Sequence, residues 1–165
     1  MVKHAGTHEK GTFNLSDLMS ALKTNPSFSK VGAISLFIGV ARDETKEKEV
    51  VHKLELEAYP EKADEVLENI CKELSDKPGI VDVQIHHLTG TFDVGEELVY
   101  VSVAGGHRSS IFPVLQEAVE RYKHEAPIFK KEHITDKSGA PKSYWVNEGE
   151  RHQESTRGLA RAEKG

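Results

Sequence analysis

Apolar side chains recur with the period of an α-helix in three segments of the chain. The first predicted helix follows Asn14 or Ser16 as its N-cap and ends before the turn at 25–27. The second begins at Pro60, which suits a first helical turn, and runs to about residue 76. The third covers about 110–125 and stops before a proline. The apolar faces consist of Leu15, Leu18, Met19 and Leu22 in the first helix, of Ala63, Val66, Leu67, Ile70 and Leu74 in the second, and of Phe112, Leu115, Ala118, Val119 and Tyr122 in the third.

Five further segments are rich in apolar and β-branched residues and predict strands at 31–42, 50–59, 80–88, 97–104 and 128–134. The first of these strands is apolar enough to be buried on both faces for most of its length. The charged residues 45–49 predict a hairpin loop after it, and Gly90 and Gly95 frame a predicted turn between the third and fourth strands. This order of elements favours an α+β fold whose sheet is mainly antiparallel and covered by helices on one face, with a ferredoxin-like arrangement as the generic expectation.

The length of 165 residues suits a single domain. Residues 1–12 are polar and predict a flexible N-terminal arm that carries His4 and His8. Residues 13–147 form the predicted domain, and the polar residues 148–165 predict a flexible C-terminal tail.

Charge and composition exclude several functional classes. The formal net charge of -5 argues against a general nucleic-acid binder. No apolar run approaches the roughly 20 residues of a membrane span, and residues 1–11 lack the apolar core of a secretory signal, so a cytoplasmic protein without membrane contact is expected. Cys71 is the single cysteine, which excludes an internal disulfide and a cysteine-rich metal site, and its place in a helical pattern indicates a buried apolar role.

The segment Gly105-Gly106-His107-Arg108-Ser109-Ser110 precedes the third helix and is the first candidate for chemistry. Glycines allow a ligand to approach the backbone closely, and a helix start offers free N–H groups and a positive dipole end to an anion. Arg108 would add a guanidinium fork that matches phosphate oxygens, and Ser109 would add a hydroxyl. The alternative is a plain helix cap made by the serines, with His107 and Arg108 solvated.

Two lysines are the second candidate. Lys123 lies on the last turn of the third helix and Lys130 on the strand after Pro127, so the chain reversal between them allows both ammonium groups to reach one side of the sheet. Lysines at such positions are also commonly solvated, and Arg42, at the end of the first strand, has the same two interpretations. His86 and His87 point to opposite faces of their strand, which favours structural roles for both.

Several motifs, in order, resemble the large subunits of molybdopterin synthases. The strand Phe37-Ile38-Gly39-Val40-Ala41-Arg42, the segment 54–60, the glycines at 90 and 95, and the run Gly106-His107-Arg108-Ser109-Ser110 carry the likeness. It continues through Tyr122-Lys123-His124-Glu125-Ala126-Pro127-Ile128-Phe129-Lys130-Lys131-Glu132 to Trp145, and covers roughly 30–147.

The resemblance implies an α/β-hammerhead fold and a sulfur transfer. The substrate would be cyclic pyranopterin monophosphate, which receives two sulfurs to become the dithiolene of molybdopterin. The donor would be the thiocarboxylate at the C-terminal Gly-Gly of a small ubiquitin-like subunit, in a heterotetramer built on a dimer of large subunits. No metal or other cofactor is implied for this chain.

By position, the resemblance assigns catalytic roles to Lys123 and Lys130, and substrate binding to Arg42, His107 and Arg108, with Ser109 beside them. Lys131 faces the other side of its strand and is interpreted as structural or peripheral. Contacts of Lys137 and Lys142 with substrate or partner tail remain open, because residues 133–143 align poorly.

Two other functions compete with this one. The chain would be a non-catalytic binding module for a phosphorylated metabolite if only the helix-start motif acts. It would be a structural partner of a ubiquitin-like protein if it has no chemistry of its own.

Overall fold

The structure is a computed structural model that describes residues 3–147 and 150–153. Within these residues, three α-helices and eight strands follow one another along the chain, with a short 3-10 helix at Phe28–Lys30. They are β1 (Ala5–Glu9), α1 (Leu15–Lys23), β2 (Ala33–Val40), β3 (Val50–Ala58), α2 (Pro60–Ser75), β4 (Ile80–Asp93), β5 (Glu97–Gly105), α3 (Arg108–Glu125), β6 (Ile128–Thr135), β7 (Pro141–Asn147) and β8 (Glu150–Gln153).

The helices begin where local chemistry favours a helix start. Asn14 caps α1 in a reciprocal capping box with Asp17, and Pro60 occupies the first turn of α2. Helix α3 begins at Arg108, two residues earlier than predicted, with His107 as an N-cap whose side chain makes no capping hydrogen bond. Neither serine therefore caps this helix in the way that the plain-cap interpretation requires.

The strands form one sheet in the order β2-β5-β4-β3-β6-β7-β8, with β1 added beside β4. All pairings are antiparallel except that of β1 with β4, which confirms the α+β class and the mainly antiparallel sheet. The predicted turn between β4 and β5 lies at Val94 and Gly95, so only its predicted start at Gly90 is wrong. β4 continues through this residue, because Gly90 adopts a φ of 130° where β4 passes from pairing with β5 to pairing with β3.

The helices cover the sheet on two sides. Val101 and Val103 of β5 pack in one core cluster with α2 and α3. Tyr100 and Ala104, which alternate with them, pack in a second cluster with Leu18 and Leu22 of α1. Helices α2 and α3 therefore share one face, and α1 packs on the opposite face.

The prediction of a flexible arm over residues 1–12 is wrong for residues 5–9. They form β1, whose backbone pairs in parallel with β4 from Ile85 to Thr89. Ala5 is almost fully buried, and the Asp64 carboxylate of α2 accepts hydrogen bonds from Lys3 and from the backbone and hydroxyl of Thr7. Backbone pairing and polar contacts, and not an apolar stripe, hold β1 on the sheet.

Strand β2 lies at the edge of the sheet and is only half-buried along most of its length, contrary to the expectation of burial on both faces. The charged loop after it is confirmed as the connection between β2 and β3, closed by a bridge between Glu44 and Val50. Within the predicted tail, residues 150–153 form β8, and the remainder of 148–165 lies outside the described residues.

Candidate functional site

A cleft of about 590 Å³ opens where β2, β5 and β4 meet β3, β6 and the C-terminal end of α3. Its apolar wall includes Phe37 of β2, Val99 of β5, Leu56 of β3 and Ile128 of β6. The loop between β2 and β3 contributes its rim through Lys46 and Glu47. The cleft is therefore assembled from segments distant in the chain, which only the sheet topology brings together.

Three of the predicted site residues line this cleft: Arg42, Lys123 and Lys130. Lys123 ends α3 and Lys130 follows the reversal into β6, so the two lysines do reach one side of the sheet as expected. The Lys123 ammonium lies 5.9 Å from the centre of the Phe37 ring, a cation–π contact that holds it against the apolar wall. Arg42 follows the end of β2 and also lines the cleft.

The charge of the cleft is opposite in sign to that of the chain. Four cationic side chains line it (Arg42, Lys46, Lys123 and Lys130) against two acidic ones (Glu47 and Glu132), a formal excess of 4 − 2 = +2. The whole chain carries −5. Positive charge is thus concentrated at this concave surface, which favours an anionic ligand.

Glu132 is a buried acid beside one of the lysines. Its side chain is about 10% exposed, and Oε1 lies 3.6 Å from the Lys130 ammonium. Both residues belong to β6 two positions apart, so they face the same side of the strand. A buried carboxylate at this distance restricts where the Lys130 side chain can stand.

His87 of β4 is the buried imidazole of the cleft. Its Nδ1 lies 2.9 Å from the backbone carbonyl oxygen of Leu88, and its ring meets Tyr122 edge to face. Burial lowers the pKa of His87 to about 4, although the bond to Leu88 opposes this shift. The ring is therefore neutral at pH 7, and it lines the cleft, a position that the sequence did not indicate.

The helix-start residues lie elsewhere. His107, Arg108 and Ser109 are exposed at the start of α3 and are absent from the lining of the cleft. Fifteen residues of helix separate Arg108 from Lys123, a rise of about 22 Å. One chain therefore divides the predicted site residues into two clusters: the cleft, and the helix-start cluster of His107, Arg108 and Ser109.

The structure explains why a glycine occupies position 105, which the sequence did not reveal. A Cβ placed there would lie 2.3 Å from the backbone oxygen of Gly79, so the glycine permits two backbone segments to approach. Gly106 donates its N–H to the same oxygen, whereas a Cβ on Gly106 would meet nothing closer than 3.9 Å. The close approach at Gly105 thus serves the fold.

The other lysines and the cysteine lie apart from the cleft. Lys131 stands 5.5 Å from the centre of the Trp145 ring, which agrees with its predicted peripheral role. Lys142 pairs with Asp136 at 2.8 Å, and neither Lys142 nor Lys137 lines the cleft. Cys71 is buried as predicted, and burial raises the pKa of its thiol well above the ordinary range.

Two absences apply to the described residues 3–147 and 150–153. They contain no cluster of three or more His, Cys, Asp or Glu side chains that could hold a metal ion. Among their helices, none has both the length and the apolar character needed to cross a membrane.

The fold and the cleft define a class of protein: an α+β chain that offers a cationic cleft with two lysines to an anionic substrate. Comparison with known proteins identifies the particular family. The sequence model described as "MoaE protein" matches residues 8–125, and the chain belongs to this family.

Two curated relatives agree with this assignment. A "Probable molybdopterin synthase" of Haloferax volcanii is 33% identical over 135 residues, which span 81% of this chain and 50% of that protein. A "Molybdopterin synthase catalytic subunit" of Pyrococcus abyssi is 35% identical over 140 residues, which span 85% of this chain and 87% of the relative. The chain thus spans half of the first relative and most of the second.

Solved structures share the fold. The molybdopterin synthase chain from Staphylococcus aureus superposes with a TM-score of 0.74 at 27% identity, over 89% of this chain and 99% of that one. A chain from Helicobacter pylori, solved as the "Protein-protein complex of subunit 1 and 2 of Molybdopterin-converting factor", gives 0.63 at 20% identity over 93% and 91%. The second likeness bears on the fold alone.

Proposed function

We propose that this chain is the catalytic subunit of a molybdopterin synthase, which transfers sulfur from a thiocarboxylate to cyclic pyranopterin monophosphate. The observation that carries the proposal is the convergence of Arg42, Lys123 and Lys130 on one cationic cleft. Membership of a family with relatives named molybdopterin synthase catalytic subunits supplies the reaction.

The charge of the cleft suits both reactants. The precursor carries a phosphate and the donor carries a thiocarboxylate, so two anions must approach each other within one site. The excess of +2 in the cleft lowers the repulsion between them, and its partly apolar wall strengthens each charge contact by excluding water.

In the proposed step, the thiocarboxylate sulfur attacks a carbon of the pterin side chain, so that a C–S bond forms, the C–O bond to an oxygen substituent of that carbon breaks, and the oxygen leaves with the electron pair. Water then adds to the carbonyl of the resulting thioester, the bond between this carbonyl and the sulfur breaks, the donor leaves as a carboxylate and the sulfur stays on the pterin. Lys130 donates a hydrogen bond to the carbonyl oxygen and stabilises the negative charge that develops there. Glu132 holds Lys130 in place from 3.6 Å, and Lys123, held against Phe37, serves the second anion.

We propose that the sulfur is delivered by a carrier outside this sequence. Cys71 is the single cysteine, and it is buried with a raised pKa, so it cannot serve as an accessible sulfur carrier. We propose as donor a small ubiquitin-like subunit ending in Gly-Gly, the partner that the resemblance of the sequence motifs implies.

We further propose that the helix-start cluster completes the cleft of a second copy. β2 runs from Ala33, which pairs with Gly105 near the helix-start cluster, to Val40, which lines the cleft. It is the terminal strand of the sheet order, and its apolar residues stay half-exposed. Antiparallel association of two such edges places the helix-start cluster of one chain near the cleft of the other.

Mixed variants test this arrangement. Lys130→Ala and Arg108→Ala should each inactivate a homodimer, whereas their co-expression should restore about a quarter of wild-type activity, because half of randomly paired dimers are hybrids with one intact site of two. If the co-expressed variants are no more active than each variant alone, the active site is not shared between two chains.

The Lys130→Ala variant also tests the function itself. With a thiocarboxylated partner, it should lose about 100-fold or more in sulfur transfer while it still binds the precursor. Lys131→Ala is the matched control, since Lys131 is adjacent in sequence but lies over Trp145 outside the cleft. A wild-type protein that binds the precursor but never converts it would favour the rival binding module.

A further inference from the structure

His87 is a polar group of the cleft for which the proposed sulfur transfer has assigned no role. It is 6% exposed and belongs to the stretch of β4 that pairs with Val99 of β5. Both Val99 and His87 line the cleft, together with Tyr122, whose ring meets the imidazole edge to face. The ring is thus fixed by strand pairing on one side and by α3 on the other.

The bond to the backbone fixes which ring nitrogen carries the proton. A carbonyl oxygen only accepts hydrogen bonds, so Nδ1 must be the donor in its 2.9 Å contact with Leu88. In a neutral imidazole the other nitrogen, Nε2, then carries a lone pair. Within residues 3–147 and 150–153, Nε2 makes no hydrogen bond.

The neutral state is imposed by the surroundings. Burial lowers the pKa of His87 to about 4. The titratable side chains that share the cleft are Arg42, Lys46, Lys123 and Lys130 as cations, Glu47 and Glu132 as acids, and Tyr122 as a neutral phenol.

We propose that Nε2 of His87 accepts a hydrogen bond from an N–H or O–H group of the molecule held in the cleft, and so selects ligands that carry a donor as well as an anion. The cations of the cleft can only donate hydrogen bonds, and they recognise anionic oxygens. His87 adds a hydrogen-bond acceptor, which suits a heterocycle rich in N–H groups. This assignment rests on the proposed function, because a reduced pterin phosphate carries both kinds of group.

A purely structural histidine would make the same bond to Leu88 through Nδ1. The test must therefore distinguish the loss of Nε2 from the loss of Nδ1. His87→Asn places an amide near Nδ1 and leaves nothing at Nε2, whereas His87→Gln reaches the position of Nε2. His52→Asn is the surface control, since His52 is exposed and bonded to Thr135 away from the cleft. Thermal unfolding of each variant checks that it is folded.

The measurement is equilibrium binding of cyclic pyranopterin monophosphate and, separately, of inorganic pyrophosphate to the wild type and the three variants. We expect His87→Asn to bind the pterin about three- to tenfold more weakly, with His87→Gln recovering part of the loss, because one neutral hydrogen bond is removed and then replaced. Pyrophosphate has no comparable ring donors, so its affinity should change less than twofold. Equal pterin affinity of His87→Asn and wild type would overturn the inference.

Nitrogen-15 spectra of the wild-type imidazole give a second reading that needs no variant and no turnover. Free protein at pH 7 should show the tautomer protonated at Nδ1, and the pterin should shift the Nε2 resonance. A ring protonated at Nε2 would overturn the inference even if sulfur transfer proceeds normally. A wild type that binds pyrophosphate but not the pterin would instead overturn the proposed function, and the inference with it.

Discussion

Moderate acid should destabilise this protein strongly through two buried histidines. His86 is fully buried in β4, where its Nε2–H donates to Gln84 and its Nδ1 accepts from His8, each at 2.9 Å. A proton added to Nδ1 would replace this acceptor by a second donor facing the His8 N–H. Burial, together with the positive surroundings of His8, Lys3 and His4, lowers the pKa of His86 to about 3.

The sign and size of the effect follow from linkage. The unfolded imidazole titrates near pH 6.5, so between that pH and the folded pKa the unfolded state binds more protons and the free energy of unfolding decreases as the pH is lowered. Folded values of about 3 for His86 and about 4 for His87 correspond to a loss of about 2 kcal/mol each between pH 7.5 and 5. The sum, about 4 kcal/mol, is a large part of the 5–15 kcal/mol typical of a domain.

Urea unfolding at pH 7.5 and 5.0, at constant ionic strength, measures this loss. His86→Gln should reduce the difference by about half, since one of the two rings with large pKa shifts is gone. His52→Asn, an exposed control, should leave it unchanged. The carboxylates with lowered pKa, among them Asp64, lose their contribution only at lower pH and do not enter this window. A difference under about 1 kcal/mol for the wild type would refute the reasoning.

Three further perturbations test the fold and the cleft. Removal of residues 1–9 should lower the melting temperature by several degrees, because β1 is paired and Ala5 is buried; an unchanged melting curve would restore the flexible-arm interpretation. Gly105→Ala should destabilise by about 1–3 kcal/mol in urea unfolding, owing to the clash with Gly79, whereas Gly95→Ala meets no neighbour and loses only through its φ of 90°. Glu132→Gln should strengthen pyrophosphate binding by about three- to tenfold in calorimetry, since it removes a negative charge 3.6 Å from a lysine; weaker binding would show that the acid acts mainly by positioning that lysine.

The helices and most strands could be predicted because their apolar periods are regular, and the departures have local causes. β1 contains one fully buried apolar residue, Ala5, and is held by backbone pairing and by Asp64, so a hydrophobic pattern carries no signal for it. The extension of β4 through Gly90 was missed because a glycine between two threonines is typical of a turn.

Only some residues of the cleft could be predicted from the sequence, and the reason differs from that for the strands. Lys123 and Lys130 flank one chain reversal, so local reasoning could bring them together. His87 and Glu132 are separated by 45 positions and meet only because β3 joins β4 to β6 in the sheet. Alternation along β6 could have placed Glu132 beside Lys130, but no local signal marks His87 as a residue of the cleft.

The separation of the two clusters has a consequence for how the chain can work. The motifs containing Arg108 and Lys123 resemble one family's single site, yet a continuous helix holds them about 22 Å apart, farther than two side chains can span around a small pterin. Bending α3 would not join them, because Ile111, Val114, Ala118 and Tyr122 anchor it to the core along its length. If both clusters serve one substrate, they must do so between chains. Among the described residues, the outer edge of β2 pairs with no other strand, and β2 connects the two clusters within each copy. The same strand that would form the dimer would therefore also set the distance between its shared sites.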